Sequence, residues 1–87
     1  MKARERLIMR LDKYLKVSRL IKRRTLAAEA CDKKRVSVNG QVAKSGKQVS
    51  VGDIIEIRFG EKRVRAKVMD VSETVRKDDA AAMYEIL

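Results

Sequence analysis

The sequence predicts an α+β fold in which two helices pack on a small, mostly antiparallel sheet, with a short helix at the C-terminus. Three observations carry that expectation. Apolar residues recur at spacings of three and four up to Cys31. From Val36 the period changes to two. Between the first two runs of period two lies Asn39-Gly40, a pair that accepts the positive φ angles of a two-residue type I′ turn.

Each element follows in turn. Residues 1–8, with Lys2, Arg4, Glu5 and Arg6, form a basic N-terminal extension. Leu7, Leu11 and Leu15 repeat every fourth residue beside Ile8 and Tyr14, which allows the first helix to begin before Met9. Ser18 interrupts or caps it, because its hydroxyl competes for backbone partners. The second helix carries Leu26, Ala27, Ala30 and Cys31 as one apolar stripe, with Arg23, Arg24 and Glu29 facing elsewhere. Val36–Ala43 is a hairpin around Asn39-Gly40; Lys44–Ser50 reads as a loop containing Gly46, and Val51-Gly52-Asp53 as a turn. In the next hairpin Ile55, Ile57 and Phe59, then Val64, Ala66 and Val68, alternate with charged residues, giving one apolar and one basic face. In the tail, Asp78 and Asp79 suit a helix N-terminus, where the dipole favours negative charge, and Ala80–Met83 propagate the helix. The 87 residues make a single domain, without repeats, linkers or proline.

Composition narrows the function. The net charge is +10, and thirteen of the 22 lysines and arginines lie in the first 35 residues against four acids. A surface of that sign attracts polyanions, and every phosphate it neutralises releases a condensed counterion. Tyr14, Phe59 and Tyr84 are the only aromatics, too few for a module that stacks several bases. One cysteine, Cys31, excludes an internal disulfide and a cysteine-only metal site; the absence of histidine removes the commonest metal ligand and general base. No nucleophile–base pair is coherent, so neither an enzyme nor a cofactor is expected. No apolar run reaches the roughly 18–20 residues that span a bilayer. Leu7-Ile8-Met9 is too short for a signal-peptide core, so the cytoplasm is the expected compartment.

Arg10, Lys13 and Lys16 recur every third residue on the first helix, roughly opposite Leu11 and Leu15. Arg19, Lys22, Arg23 and Arg24 gather at the entry to the second, Lys33, Lys34 and Arg35 close it, and Lys44 follows the first hairpin. Charge runs of this kind are usually solvated faces, but here acids at helical pairing distance are too few to absorb the excess. Leu11 and Leu15 read as core, Asp12 as a cap or an arginine partner, and Asn39-Gly40 as turn chemistry. Cys31 reads as a small core hydrophobe, and Met9, Met69 and Met83 as gap-fillers.

Taken in order, Arg10-Leu11-Asp12-Lys13-Tyr14-Leu15, the Arg23/Arg24 helix, Val36-Ser37-Val38-Asn39-Gly40 and Val51-Gly52-Asp53-Ile54-Ile55 resemble the S-four RNA-binding domain, also called the αL motif, over residues 10–55. Residues 56–87 then supply the second hairpin and C-terminal helix. The short free-standing chain and the stretch Arg10–Ala27 are similar to the RqcP and fifteen-kilodalton heat-shock protein family, and that likeness covers about residues 9–87. The resemblance implies RNA lying across the helix pair and the adjoining loop. It implies Arg10, Lys13, Lys16, Arg19, Lys22, Arg23, Arg24, Lys33, Lys34, Arg35 and Lys44 as RNA-binding residues. It further implies large-subunit ribosomal RNA and peptidyl-tRNA as partners after stalling, with support for C-terminal tailing by the RqcH factor. Two departures stand out. The family usually carries glycine where this chain has Lys34, and residues 1–8 precede the usual start. Three other readings remain open: a general structured-RNA factor in ribosome assembly, an accessory domain of an RNA-modifying enzyme, and an architectural DNA-binding protein, although no apolar wedge is evident. The basic face with Arg58, Arg63, Arg65 and Lys67 extends the RNA surface or is merely solvated; the acidic tail contacts protein or packs over the sheet.

Overall fold

A computed structural model describes residues 8–71 and 77–87. The chain opens with a strand, β1 (Ile8–Arg10), that runs directly into helix α1 (Leu11–Val17), and α2 (Arg24–Asp32) follows. The helix does not begin before Met9, as the leucine spacing suggested; Leu7 and the basic extension up to it lie outside the described residues. The strand forms because it finds a partner elsewhere: β4 (Gln48–Ser50) pairs with it antiparallel, Met9 opposite Val49. The expected loop over Lys44–Ser50 is therefore only its first half. Both central residues of this small ribbon, Met9 and Val49, are buried.

The main sheet has five antiparallel strands in the order β3-β2-β5-β6-β7. Strands β2 (Val36–Val38) and β3 (Gln41–Val42) form the first hairpin, with Asn39 and Gly40 at φ 52° and 85° as the type I′ turn demands. Strands β5 (Ile54–Phe59) and β6 (Lys62–Val68) form the second, and their Ile55, Ile57, Ala66 and Val68 face the core. Phe59, at the open end of the apolar row, is exposed. The tail is a 3-10 turn (Lys77–Met83) rather than an α-helix, and it leads into a strand, β7 (Tyr84–Ile86), that the sequence reading lacked. The acidic tail thus completes the sheet by pairing with β6.

Leu11, Tyr14 and Leu15 from α1 and Ala27 and Cys31 from α2 close over Val36, Ile55 and Ile57. Burying one leucine such as Leu15 stabilises the fold by about 1.5–3 kcal/mol. Leu26 is exposed instead of joining this stripe, because α2 turns the Ala27 and Cys31 side to the core and Leu26 lies about 100° round the helix from Ala27. Met9 and Met83 fill the core; Met69 is exposed. Tyr14 ties α1 to the C-terminal segment, donating its hydroxyl hydrogen bond to the Met83 carbonyl at 2.7 Å.

The separated parts of the motif meet at one place. Asn39 donates from its side-chain amide to Asp53 Oδ1 at 3.1 Å and accepts the Ile54 N–H at 2.9 Å, while Asp53 Oδ2 accepts the Ser50 N–H. The Asn-Gly turn and the Gly-Asp turn are therefore two halves of one polar clasp, which explains why they occur together.

Candidate nucleic-acid interface

Helix α1 is capped by the loop that follows β3. The first two helical N–H groups donate to loop carbonyls, Leu11 to Lys47 at 2.7 Å and Asp12 to Ser45 at 3.1 Å. The third, of Lys13, is taken by the Asp12 carboxylate at 2.8 Å. Lys44 stands exposed at the start of this capping loop.

Asp12 organises the cations around it. It is buried, yet its oxygens reach three partners. Arg10 donates to both, Nε to Oδ1 and Nη2 to Oδ2, each at 3.2 Å. Arg24, on the first turn of α2, stands 3.5 Å from Oδ1. Burial alone would raise the Asp12 pKa, but the Arg10 hydrogen bond, the Arg24 and Arg10 charges and the Lys13 N–H together outweigh it and hold the carboxyl below its ordinary value. One carboxylate thus positions two guanidinium groups whose side chains remain about half exposed, 55% for Arg10 and 49% for Arg24. Such groups keep donors free for a second, external anion.

Both helices end on a left-handed cation. Ser18 closes α1, and Arg19 follows at φ 66° with its N–H on the Lys16 carbonyl. Lys33 closes α2, and Lys34 follows at φ 61°. There the Lys34 N–H meets the Cys31 carbonyl and the Arg35 N–H meets that of Ala30, at 3.0 and 2.9 Å, a full Schellman motif. That conformation favours glycine, and a lysine in it is strained by about 1 kcal/mol or more. The resemblance had placed glycine at this position, and the φ angle shows why. No sequence signal marked Arg19 as left-handed.

Lys16, Arg19, Lys22 and Arg23 are exposed and have no carboxylate partner among the described residues. Lys13 is half-buried. Lys22, Arg23 and Arg24 crowd the N-terminus of α2, where the helix dipole is already positive and no acid lies in the first turn. Each cation there opposes stability by roughly 0.3–1 kcal/mol. The same placement raises the positive potential that draws a phosphate backbone.

Two clusters stand out among the predicted residues, with Lys16 and Arg19 apart from both at the C-terminal end of α1. Arg10 and Arg24 converge on Asp12, with Lys44 on the loop that caps the same helix end. Lys33, Lys34 and Arg35 sit at the other end of α2, roughly 12 Å along its axis. They line a cleft with Arg58 and Gly60 of the second hairpin. Sequence alternation had put Arg58 on the outer sheet face without revealing that it meets the helix end. The exposed sheet face bears Arg58, Arg63, Arg65 and Lys67, with Arg63 paired to Glu56 at 3.3 Å.

No group of acids, cysteine and histidine that could hold a metal occurs among the described residues. Cys31 is buried, and burial, helped by the Asp12 and Asp32 charges, pushes its thiol up to about 11, which leaves it unreactive at neutral pH. No helix among the described residues is long and apolar enough to cross a membrane.

Comparison with known proteins agrees with this geometry. Residues 9–55 match the S4 domain. The RQC P-site tRNA stabilizing factor of Halalkalibacterium halodurans is 59% identical over 78 residues, covering 90% of this chain and 89% of that protein. Its Bacillus subtilis counterpart is 54% identical, with 91% and 92% covered. The solved trimeric structure of heat shock protein 15 from Vibrio cholerae superposes with a TM-score of 0.84 at 32% identity, over 92% of this chain and 82% of the other. The motif clasp, the helix pair and these likenesses agree: the chain belongs to the S4 domain family, within the group of RQC P-site tRNA stabilizing factors and heat shock protein 15.

Proposed function

We propose that this protein is a noncatalytic, cytoplasmic RNA-binding factor of ribosome quality control. It binds the large ribosomal subunit after stalling, touches both ribosomal RNA and peptidyl-tRNA, and supports C-terminal tailing of the nascent chain by the RqcH factor. The observation that carries the RNA part is the Asp12-centred pair Arg10 and Arg24 beside the uncompensated Lys22 and Arg23. A surface that holds guanidinium forks in place while leaving them half exposed suits phosphate oxygens, and such contacts follow RNA shape more than base identity. The ribosome-quality-control part rests on the relatives, whose name specifies a P-site tRNA.

Affinity isolation of the full chain from cells with stalled ribosomes, followed by sequencing of the bound RNA, tests this reading. Large-subunit RNA together with tRNA is expected. Recovery of free small-subunit precursors alone would overturn it. In the same assay Arg23→Gln/Arg24→Gln should reduce RNA recovery while leaving the fold intact.

A further inference from the structure

We propose that the cleft between the C-terminal turn of α2 and the tip of the β5–β6 hairpin seats an RNA backbone phosphate, with Arg58 as a sheet-borne ligand facing Lys33, Lys34 and Arg35. The proposal rests on the RNA-binding reading above and extends it from the helix pair onto the sheet.

The cleft has a volume of about 290 Å³ and is lined by those four cations and Gly60. Its walls come from separate elements but are fixed to each other: the Arg58 N–H donates to the Arg35 carbonyl at 2.9 Å. One rung further in, Val36 pairs with Ile57, so the helix end and the hairpin tip share a backbone frame. The backbone positions from which the cations reach the cleft are therefore fixed relative to one another.

No acidic residue lines this cleft; Glu56 and Glu61 line the neighbouring one, which shares Arg58 and Gly60 with it. The nearest acid on the same strand, Glu56, is held by Arg63 at 3.3 Å. Arg58 also stands directly opposite Arg63 in the β5–β6 register, a like-charge pair that destabilises a sheet. Lys34 adds backbone strain at φ 61°. Like-charge crowding and a left-handed lysine at one spot oppose folding, and an anion bound between them would reverse the first of these effects. A phosphate diester fits: Arg58 and Arg35 can each present a fork of N–H donors, and the lysines supply mobile point charges.

The test compares two substitutions on the full chain that remove the same charge. Arg58→Gln loses the cleft ligand; Arg63→Gln lies on the same hairpin, opposite it, but outside the cleft. Binding to a transcript of large-subunit ribosomal RNA is measured across a series of potassium chloride concentrations. Arg58→Gln should weaken binding roughly three- to tenfold near physiological salt and lower the slope of log K against log salt by about 0.7–0.9, the loss of one phosphate contact. Arg63→Gln should stay within about twofold of wild type, and Arg58→Lys, which keeps the charge, should restore most of the slope. Circular dichroism melts on each variant separate a folding defect from a binding one, with Arg58→Lys carrying the test if Arg58→Gln unfolds. Equal losses for Arg58→Gln and Arg63→Gln would show a general field effect and overturn the cleft site. So would unchanged binding by Arg58→Gln where Arg23→Gln/Arg24→Gln still abolishes it, leaving the helix-pair reading standing. Failure of the wild-type chain to bind the RNA would overturn both. Inorganic phosphate at millimolar concentration should compete weakly; an acidic protein captured in preference to RNA would also refute the proposal.

Discussion

Replacing Lys34 separates strain from charge at a single position. Lys34 is the residue after the α2 cap, with φ 61° and the two hydrogen bonds of a Schellman motif. A non-glycine residue there costs about 1–2 kcal/mol. Lys34→Gly removes that strain, but glycine loses more freedom on folding, which returns about 0.5–1 kcal/mol. The expected net gain is about 0.5–1 kcal/mol. An unfolding entropy of about 0.18 kcal/mol/K for a chain of this length converts that to a rise of about 3–6 °C in Tm. Lys34→Ala keeps the strain and removes the charge, so its Tm should stay within about 2 °C of wild type. Both variants lose one cation from the cleft, so both should bind large-subunit RNA roughly three- to tenfold more weakly. Thermal melts followed by circular dichroism, with filter binding on the same preparations, give both readouts. A fall in Tm for Lys34→Gly would refute the strain argument. Wild-type affinity in both variants would remove Lys34 from the RNA site.

Other outcomes follow from the same geometry. Asp12→Ala raises the net charge, yet it should weaken RNA binding, because Arg10 and Arg24 lose the carboxylate that orients them; it should also cost about 1–3 kcal/mol, read as a lower urea midpoint. A rise in affinity would show that charge alone governs binding. The depressed pKa of Asp12 means that its contribution to stability is present above its ordinary value of 3.8 and is lost as pH falls through the lower folded value. The urea midpoint should therefore drop below about pH 4, and less steeply in Asp12→Asn than in wild type. Tyr14→Phe should cost about 0.5–1.5 kcal/mol by thermal melt, a modest loss because the Met83 carbonyl still accepts the Met69 N–H at 2.8 Å. N-ethylmaleimide should label Cys31 only in denaturant, since the thiol is 3% exposed and its pKa is raised; rapid labelling of the native protein would contradict its placement in the core.

The two helices and two hairpins were legible because each repeats its period long enough to declare it, and Asn39-Gly40 states its own turn. The strand Ile8–Arg10 was hidden: it is three residues long, it continues the leucine spacing of α1, and its partner lies about forty residues away. Gln48–Ser50 and Tyr84–Ile86 are equally short, and pairing rather than local preference makes them strands. Leu26 misled because adjacent residues point about 100° apart on a helix, and only the tertiary packing shows that α2 turns Ala27 and Cys31, not Leu26, to the core. At the interface, sign and location of charge were readable from the chain. The sharing of Asp12 between Arg10 and Arg24, and the meeting of Arg58 with the end of α2, were not, since each joins segments that only the tertiary fold brings together.

The hydrogen bond from Tyr14 to Met83 has a bearing on how the protein comes into being. It links positions 69 residues apart, so the face that carries Arg10 and Lys16 is anchored by a carbonyl translated well after it. The family motif ends at residue 55, yet a nascent chain stopped there would hold its first helix over a floor that lacks β6, Met83 and β7. Closing so long a loop adds little to the equilibrium cost but delays the folding transition. The face that carries Arg10 and Lys16 is consequently set late in synthesis, once the chain has passed Met83, and a copy stopped before β6 would lack part of the floor on which that face rests.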